Sequence, residues 1–139
     1  MKSDDTAPRI LVVDDEASVR EFTARALQTA GYDVVVAANG SQALELVERR
    51  GPFDGFVVDV GMPGMSGSDL GHELRRVDPD AKILYFTGFS DRLFDEKTTL
   101  GAHEAFVEKP LTMQGLLEAV SLLLHGDLHH ANKARRSGH

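Results

Sequence analysis

The sequence contains no cysteine. Disulfides and thiolate metal sites are therefore excluded, and nothing in the residue content favours an oxidising environment. Long apolar runs are also lacking, since none approaches the about 20 residues that a membrane-spanning helix needs. The opening residues, MKSDDTAPR, do not contain the apolar core of a secretory signal peptide. From these absences we expect a cytoplasmic protein without a membrane partner.

A surplus of basic residues is missing as well. The formal net charge is −7 at pH 7, which opposes general nucleic-acid binding because cationic contacts to phosphate supply most of that affinity. What the chain does contain is the balance of a globular domain, with 42% hydrophobic and 27% charged residues. Its 139 residues are enough to bury one apolar core. We therefore expect a single domain that does not bind nucleic acid directly.

Short apolar runs, mostly β-branched or aromatic, alternate along the chain with stretches of helical spacing. Such runs are typical of strands that are buried on both faces, as in parallel sheets. The predicted strands are residues 10–13, 34–36, 56–58, 83–86 and 105–107. The first predicted helix has an apolar face formed by Val19, Phe22, Ala26, Leu27 and Ala30, and Gly31 is its C-terminal cap. The other predicted helices span residues 41–50, 66–77, 90–100 and 112–125. The last of these has Thr112 as N-cap and ends before Gly126.

This alternation predicts an α/β fold. Right-handed crossovers between successive strands give a doubly wound, five-stranded parallel sheet with helices on both faces. The strand order 2-1-3-4-5, taken from flavodoxin-like folds, would place the reversal point between the first and third strands. We expect the folded domain to span residues 9–126, with disordered polar segments at 1–8 and 127–139. The helix over 90–100 has the poorest apolar stripe and should be the most loosely held.

Polar and charged residues follow four of the five predicted strands. Asp14 and Asp15 follow the first strand, Asp59 the third, Thr87 the fourth and Lys109 the fifth. Ligands of open α/β sheets bind outside the carboxyl ends of the strands, at the point where the strand order reverses. We therefore expect these side chains to meet at one edge of the sheet.

Carboxylates that cluster in this way raise one another's pKa unless a cation is present. Mg²⁺ prefers oxygen ligands, typically one or two carboxylates together with phosphate oxygens. Asp14, Asp15 and Asp59 could hold it together with a backbone carbonyl from the glycine-rich stretch VVDVGMPGMSG, and Lys109 could neutralise a further oxygen. The remaining coordination position suits a phosphoryl group.

The combination of these motifs resembles the receiver domains of two-component response regulators. The resemblance is carried by VVDDE at residues 12–16, DVGMP at 59–63, the Thr87-Gly88 pair and FVEKP at 106–110, in order and at the strand ends. It covers roughly residues 9–125 and fits a stand-alone regulator as well as a receiver excised from a larger sensor kinase. It implies a phosphoacceptor signalling domain that catalyses only its own phosphotransfer and dephosphorylation.

By this resemblance, Asp59 accepts a phosphoryl group from a histidine kinase or a histidine phosphotransfer protein. Mg²⁺ would be held directly by Asp15 and Asp59, through water by Asp14, and by the backbone carbonyl of Gly61. Lys109 would pair with a phosphoryl oxygen.

The resemblance also implies a switch. Thr87 would move toward the new phosphoryl group and let the ring of Phe106 turn inward, while Pro110 would follow a cis peptide that aims Lys109 at the site. Helix 90–100, strand 105–107 and helix 112–125 would then rearrange to bind a downstream protein. Phe106 lacks the hydroxyl that the family often has at this position, so an output that reads this hydroxyl is absent.

Two other functions stay open. A pseudo-receiver would use the same fold as a binding module without phosphorylation, although none of the expected acids or the lysine is missing. A Mg²⁺-dependent aspartyl-phosphate phosphatase would need a D-x-D motif at the first strand, whereas Asp14 and Asp15 are adjacent and point different ways on an extended backbone. A dinucleotide site is disfavoured because the first turn carries acids in place of G-x-G-x-x-G.

Overall fold

The computed structural model describes residues 7–87, 104–108 and 112–125. Within these ranges strands and helices alternate as the apolar pattern predicts. The strands are β1 (Arg9–Val13), β2 (Asp33–Ala37), β3 (Gly55–Asp59), β4 (Ile83–Thr87) and β5 (Glu104–Glu108). The helices of the described ranges are α1 (Ala17–Thr29), α2 (Gly40–Arg50), α3 (Gly67–Val77) and α4 (Met113–His125).

The five strands form one parallel sheet in the order β2-β1-β3-β4-β5. This confirms the predicted doubly wound topology. The order reverses at β1, which pairs with β2 on one side and with β3 on the other. Val13 lies opposite Val58, and Asp59 lies opposite Phe86. The carboxyl ends of β1, β3 and β4 therefore lie side by side.

An apolar cluster covers each face of the sheet because alternate side chains of a strand point to opposite faces. The first cluster joins β1, β3 and β4 to α2 and α3 through Leu11, Val13, Ala43, Phe56, Val58, Leu70, Leu74, Ile83 and Tyr85. The second joins the same strands to α1 and α4 through Ile10, Val12, Ala26, Leu27, Val57, Leu84, Phe86, Leu116, Val120 and Leu123. The prediction of helices on both faces is thus confirmed.

The prediction that residues 34–36 are buried on both faces is wrong. Val34 and Val35 are only half-buried, and Val36 is 42% exposed. The reason is position in the sheet, because β2 is an edge strand that pairs only with β1. Helices that cross a doubly wound sheet cover its central strands, so an edge strand keeps part of its surface in water.

Helix α1 ends as predicted at Gly31, whose φ of 99° lies in the left-handed region that favours glycine. The Gly31 N–H donates to the carbonyl oxygen of Gln28 at 3.0 Å, and the Tyr32 N–H donates to that of Leu27 at 3.1 Å. These two bonds form a Schellman motif, which satisfies carbonyls that the last helical turn would otherwise leave without donors.

The predicted apolar face of α1 is partly wrong. Phe22 is 39% exposed and Ala30 is also exposed. The buried stripe runs instead through Thr23, Ala26 and Leu27. Phe22 precedes Thr23 by one residue, about 100° around the helix, so its ring lies at the margin of the stripe and extends into solvent.

The buried hydroxyl of Thr23 finds no hydrogen-bond partner among the described residues, and the side chain is fully buried. Leaving a hydroxyl unpaired in an apolar core costs about 1–3 kcal/mol. Thr23→Val keeps the shape and removes this cost, so it should raise the free energy of unfolding by about 1 kcal/mol. Urea unfolding measures this as a higher midpoint at unchanged slope.

The matched control for this change is Thr29→Val on the same helix. The Thr29 side chain is exposed, and its hydroxyl donates to the carbonyl oxygen of Arg25 at 2.8 Å. The control should leave the midpoint unchanged or lower it slightly. A lower midpoint for Thr23→Val would show that the hydroxyl contributes to stability and would contradict the prediction.

The later helices begin where the capping residues indicate. Ser66 Oγ accepts from the Asp69 N–H at 3.1 Å, while Asp69 Oδ2 accepts from the Ser66 N–H, forming a capping box at the start of α3. Thr112 Oγ1 accepts from the Gly115 N–H at 2.9 Å at the start of α4, which confirms Thr112 as its N-cap.

Several predictions fall outside the described residues. These are the helix over 90–100, the roles of Lys109 and Pro110, the stop at Gly126 and the disorder of 127–139 and of residues 1–6. Of the helices that are described, none combines the length and apolar character needed to cross a membrane.

Candidate functional site

Three carboxylates meet at the point where the strand order reverses. Asp14 directly follows β1, and Asp59 is the last residue of the neighbouring strand β3. One carboxylate oxygen from each of Asp14, Asp15 and Asp59 lies within 4.8 Å of the other two. Asp14 and Asp59 are buried, whereas Asp15 is exposed. The prediction that these acids meet at one edge of the sheet is confirmed.

The turn after β1 is held by hydrogen bonds at its main-chain and side-chain oxygens. The Asp14 N–H donates to the carbonyl oxygen of Ala37 in β2 at 3.1 Å. Asp14 Oδ1 accepts from the Glu16 N–H at 2.9 Å, and the Asp14 carbonyl oxygen accepts from Arg20 Nη1 at 2.8 Å. Glu16 is the N-cap residue of α1. The turn thus presents its acids on a backbone fixed from β2 and from α1.

The loop after β3 is fixed to the sheet and to the apolar core. The Val60 N–H donates to the carbonyl oxygen of Phe86 at 2.9 Å, and the Val60 carbonyl oxygen accepts from the Gly67 N–H at 2.9 Å. Asp59 Oδ1 accepts from the Gly61 N–H at 3.2 Å. Met62 is 5% exposed and packs with the cluster of α2 and α3. Asp59 therefore stands at the base of an anchored loop.

At two positions of this stretch, only glycine fits without steric strain. Gly64 has a φ of 77°, a left-handed conformation that side chains rarely adopt. Gly67 packs directly on the backbone where β3 ends, since a Cβ there would lie 2.4 Å from the Asp59 carbonyl oxygen and 2.6 Å from Cα of the next residue, Val60. The spacing of the glycines serves a sharp turn and a close approach of backbone.

The electrostatics of the site favour a hard divalent cation. Three carboxylates with oxygens this close repel one another when ionised. The donor set consists of oxygen atoms, two of the three carboxylates are shielded from bulk water, and the third is open to solvent. This matches the preference of Mg²⁺, which takes one or two carboxylates and keeps several waters. The residues present therefore fit the predicted metal.

The repulsion should be measurable as lost stability. Without divalent cations, Asp59→Asn removes one of the three charges and should raise the free energy of unfolding by about 1–2 kcal/mol at neutral pH. Urea unfolding in the presence of a chelator measures the gain. Saturating Mg²⁺ should abolish or reverse it, because the cation offsets more repulsion in the wild type, which has three carboxylates, than in the variant, which has two. An equal gain with and without metal would contradict this account.

Two further predicted residues lie on the strands that follow β3 in the sheet, Thr87 on the adjacent strand β4 and Phe106 on β5, two strands from Asp59. Thr87 ends β4, one residue beyond Phe86, which lies opposite Asp59. Phe106 lies in the middle of β5, opposite Tyr85. Lys109 follows directly on β5, outside the described residues.

Arg20 is a contact of this site that the sequence patterns did not reveal. It lies on α1, six residues after Asp14, and its side chain returns to the β1–α1 turn. The sequence does contain a pattern that fits such a contact, namely a basic residue one turn into the helix after an acidic strand end. Arginines are so common on helix surfaces that this pattern does not distinguish Arg20 from the others. Only the contact distance identifies it.

Comparisons with known proteins agree with this architecture. The family model of the response regulator receiver domain matches residues 10–121. The sensor kinase CckA of Brucella abortus (strain 2308) is 39% identical over 116 residues, which cover 83% of this chain and 12% of CckA. The response regulator receiver protein CpdR of the same strain is 31% identical over 116 residues, which cover 84% of this chain and 96% of CpdR.

A solved structure gives the same result in three dimensions. The response regulator protein TrrA of Thermotoga maritima, in complex with Mg²⁺-BeF, superimposes with a TM-score of 0.74 at 36% identity, covering 84% of this chain and 99% of TrrA. The chain thus spans nearly all of CpdR and TrrA but about an eighth of CckA. With the matching family model, the strand order and the carboxylates at the reversal point, these likenesses establish that the chain belongs to the response regulator receiver domains of two-component systems.

Proposed function

We propose that this chain is a phosphorelay switch in which Asp59 takes a phosphoryl group from a phosphohistidine of a histidine kinase or histidine phosphotransfer protein. The observation that carries the proposal is the meeting of Asp14, Asp15 and Asp59 within 4.8 Å at the strand-order reversal. Asp59 is fixed there at the end of a central strand, at the base of an anchored loop.

In the transfer, a carboxylate oxygen of Asp59 bonds to phosphorus while the bond from phosphorus to the histidine nitrogen breaks. The nitrogen keeps the bonding electron pair. Asp15 and Asp59 would hold Mg²⁺ directly, Asp14 through water, and the Gly61 carbonyl would complete the protein ligands. The metal supplies charge neutralisation between the acceptor and the phosphoryl oxygens, which otherwise repel. The chain's own part is positioning, since little covalent chemistry besides the attack is needed.

The output is proposed to follow from contacts to the new phosphoryl group. Lys109 would pair with one phosphoryl oxygen, and Thr87 would donate a hydrogen bond to another. Movement of Thr87 would let Phe106 turn inward and change the surface over residues 90–125 that binds a downstream protein. The strand register supports this proposal, because Thr87 directly follows Phe86, the β4 partner of Asp59, and Phe106 pairs with Tyr85 of the same strand. Reversing a 1:99 population would require about 5.5 kcal/mol of differential interaction.

The proposal is tested by incubating the protein with acetyl phosphate and Mg²⁺ and measuring its intact mass. The expected result is a gain of one phosphate per chain that disappears when a chelator removes the metal. A protein that stays unmodified under these conditions would instead be a pseudo-receiver. Steady release of phosphate from unrelated monoesters such as p-nitrophenyl phosphate would identify a phosphatase.

A further inference from the structure

Arg20 contacts the peptide unit that joins two of the site's acids. Its Nη1 donates to the carbonyl oxygen of Asp14 at 2.8 Å, and the side chain is half-buried. The Arg20 main-chain N–H is already used within the helix, where it donates to the Glu16 carbonyl oxygen at 2.9 Å. The guanidinium thus reaches back across the start of α1 to the end of β1.

The carbonyl oxygen of Asp14 and the N–H of Asp15 belong to one planar peptide unit. Fixing this oxygen fixes the plane, and the plane sets the rotation about the last main-chain bond of Asp14 and the first of Asp15. The directions of the two carboxylates relative to each other follow from these rotations. A charged donor to a main-chain carbonyl is also among the stronger hydrogen bonds of proteins.

We propose that Arg20 is a positioning residue for the metal site, which orients the acids of the β1–α1 turn before the cation binds. This inference rests on the proposed function, since it concerns the Mg²⁺ affinity of that site. It assigns Arg20 no contact with the metal or the phosphoryl group. Its effect is on the orientation of the Asp14 and Asp15 side chains in the metal-free protein.

Arg20 has two opposing effects on Mg²⁺ affinity, because its hydrogen bond orients the acids whereas its positive charge repels the cation. The direction in which the affinity changes when Arg20 is replaced therefore tests the proposal. A guanidinium near the carboxylates repels Mg²⁺, so removing the charge alone would tighten metal binding. Loss of orientation would weaken it, and changes in the partners that orient metal ligands typically cost 10- to 100-fold in affinity. Because Arg20 acts through the main chain, we expect the lower end of this range.

The experiment is a Mg²⁺ titration of the full chain without phosphate. The NMR signals of the Glu16 and Gly61 amides are recorded at each Mg²⁺ concentration and give the dissociation constant. Arg20→Met should raise the dissociation constant about tenfold, whereas Arg25→Met should leave it unchanged. Arg25 is an exposed arginine of the same helix and serves as the matched control. The folded fraction of each variant is measured in parallel, so that a general loss of stability is separated from a change in affinity.

A second readout is independent of the metal. The Glu16 N–H donates to Asp14 Oδ1, so a loosened turn should exchange this amide faster in the metal-free Arg20→Met protein than in the Arg25→Met control. A dissociation constant that falls or stays the same in Arg20→Met, with wild-type binding intact, would overturn this inference alone. A wild-type chain that does not bind Mg²⁺ would overturn the proposed function as well.

Discussion

Phosphorylation should disappear completely when Asp59 is replaced by asparagine. The amide nitrogen and oxygen of asparagine do not form a stable bond to phosphorus, so the variant should gain no phosphate with acetyl phosphate and Mg²⁺. The wild type should gain one. The fold should survive, since asparagine has nearly the same size and its side-chain oxygen can still accept the Gly61 N–H that Asp59 Oδ1 accepts at 3.2 Å.

The matched control is Asp54→Asn, the same chemical change just before the opposite end of β3. Asp54 Oδ2 accepts from the Arg9 N–H at 2.7 Å, a bond that asparagine can keep. This variant should take up phosphate at the wild-type rate. Uptake of one phosphate by Asp59→Asn would show that another residue is the acceptor and would refute the assignment of Asp59. Intact mass and peptide mapping after borohydride reduction distinguish these outcomes.

Gly67→Ala should be the most destabilising small substitution at the site. An added Cβ would lie 2.4 Å from the Asp59 carbonyl oxygen, 2.6 Å from Val60 Cα and 2.9 Å from the Asp59 carbonyl carbon. All three atoms are main-chain atoms of Asp59, the last residue of β3, and of Val60, which follows it, so relief requires moving α3 or the strand end that carries the proposed acceptor. Overpacking of this kind costs about 1–3 kcal/mol, occasionally more, and we expect the upper end.

Gly40→Ala provides the comparison for this prediction, since Gly40 and Gly67 are both buried first residues of helices. The nearest atom to a Cβ at Gly40 is Met65 Sδ at 2.5 Å, which belongs to a flexible side chain that can rotate away. Urea unfolding should give a loss of about 1 kcal/mol or less for Gly40→Ala. Equal losses in the two variants would show that α3 moves as easily as a methionine side chain.

The same contrast should extend to phosphorylation. Gly67→Ala is expected to slow phosphate uptake even where the protein remains folded, because the clash falls on the backbone of Asp59. Gly40→Ala should keep the wild-type rate. Rates from time-resolved intact mass, corrected for the folded fraction, test this. A wild-type rate in folded Gly67→Ala would mean that the strand end tolerates the shift.

The sequence was sufficient to locate the central strands and the acids that follow them. Central parallel strands are buried on both faces and read as short apolar runs, so the positions of β1, β3 and β4 follow from composition. A residue that directly follows such a run must lie at the carboxyl edge of the sheet. Asp14 and Asp59 could therefore be placed from the sequence. The strand order that makes them neighbours came from the likeness to a known fold.

The sequence was insufficient where burial depends on neighbours that are distant along the chain. The valines of β2 have the same composition as those of β1, yet Val36 is 42% exposed because β2 lies at the edge. In α1, Phe22 is exposed while Thr23 is fully buried. Hydrophobicity alone would favour a buried Phe22 and an exposed Thr23. Which side of the helix faces the sheet is set instead by packing between elements.

The sequence by itself determined where the strands lie, which residues cap the helices and which acids follow the strands. Each of these features depends only on residues that are close together in the chain, within about one helical turn or one strand. Tertiary structure alone decided that Arg20 reaches the Asp14 carbonyl, that Gly67 packs on the backbone of Asp59, and that three carboxylate oxygens come within 4.8 Å. These contacts join separate elements of the fold. Their distances arise only when the sheet and helices pack together.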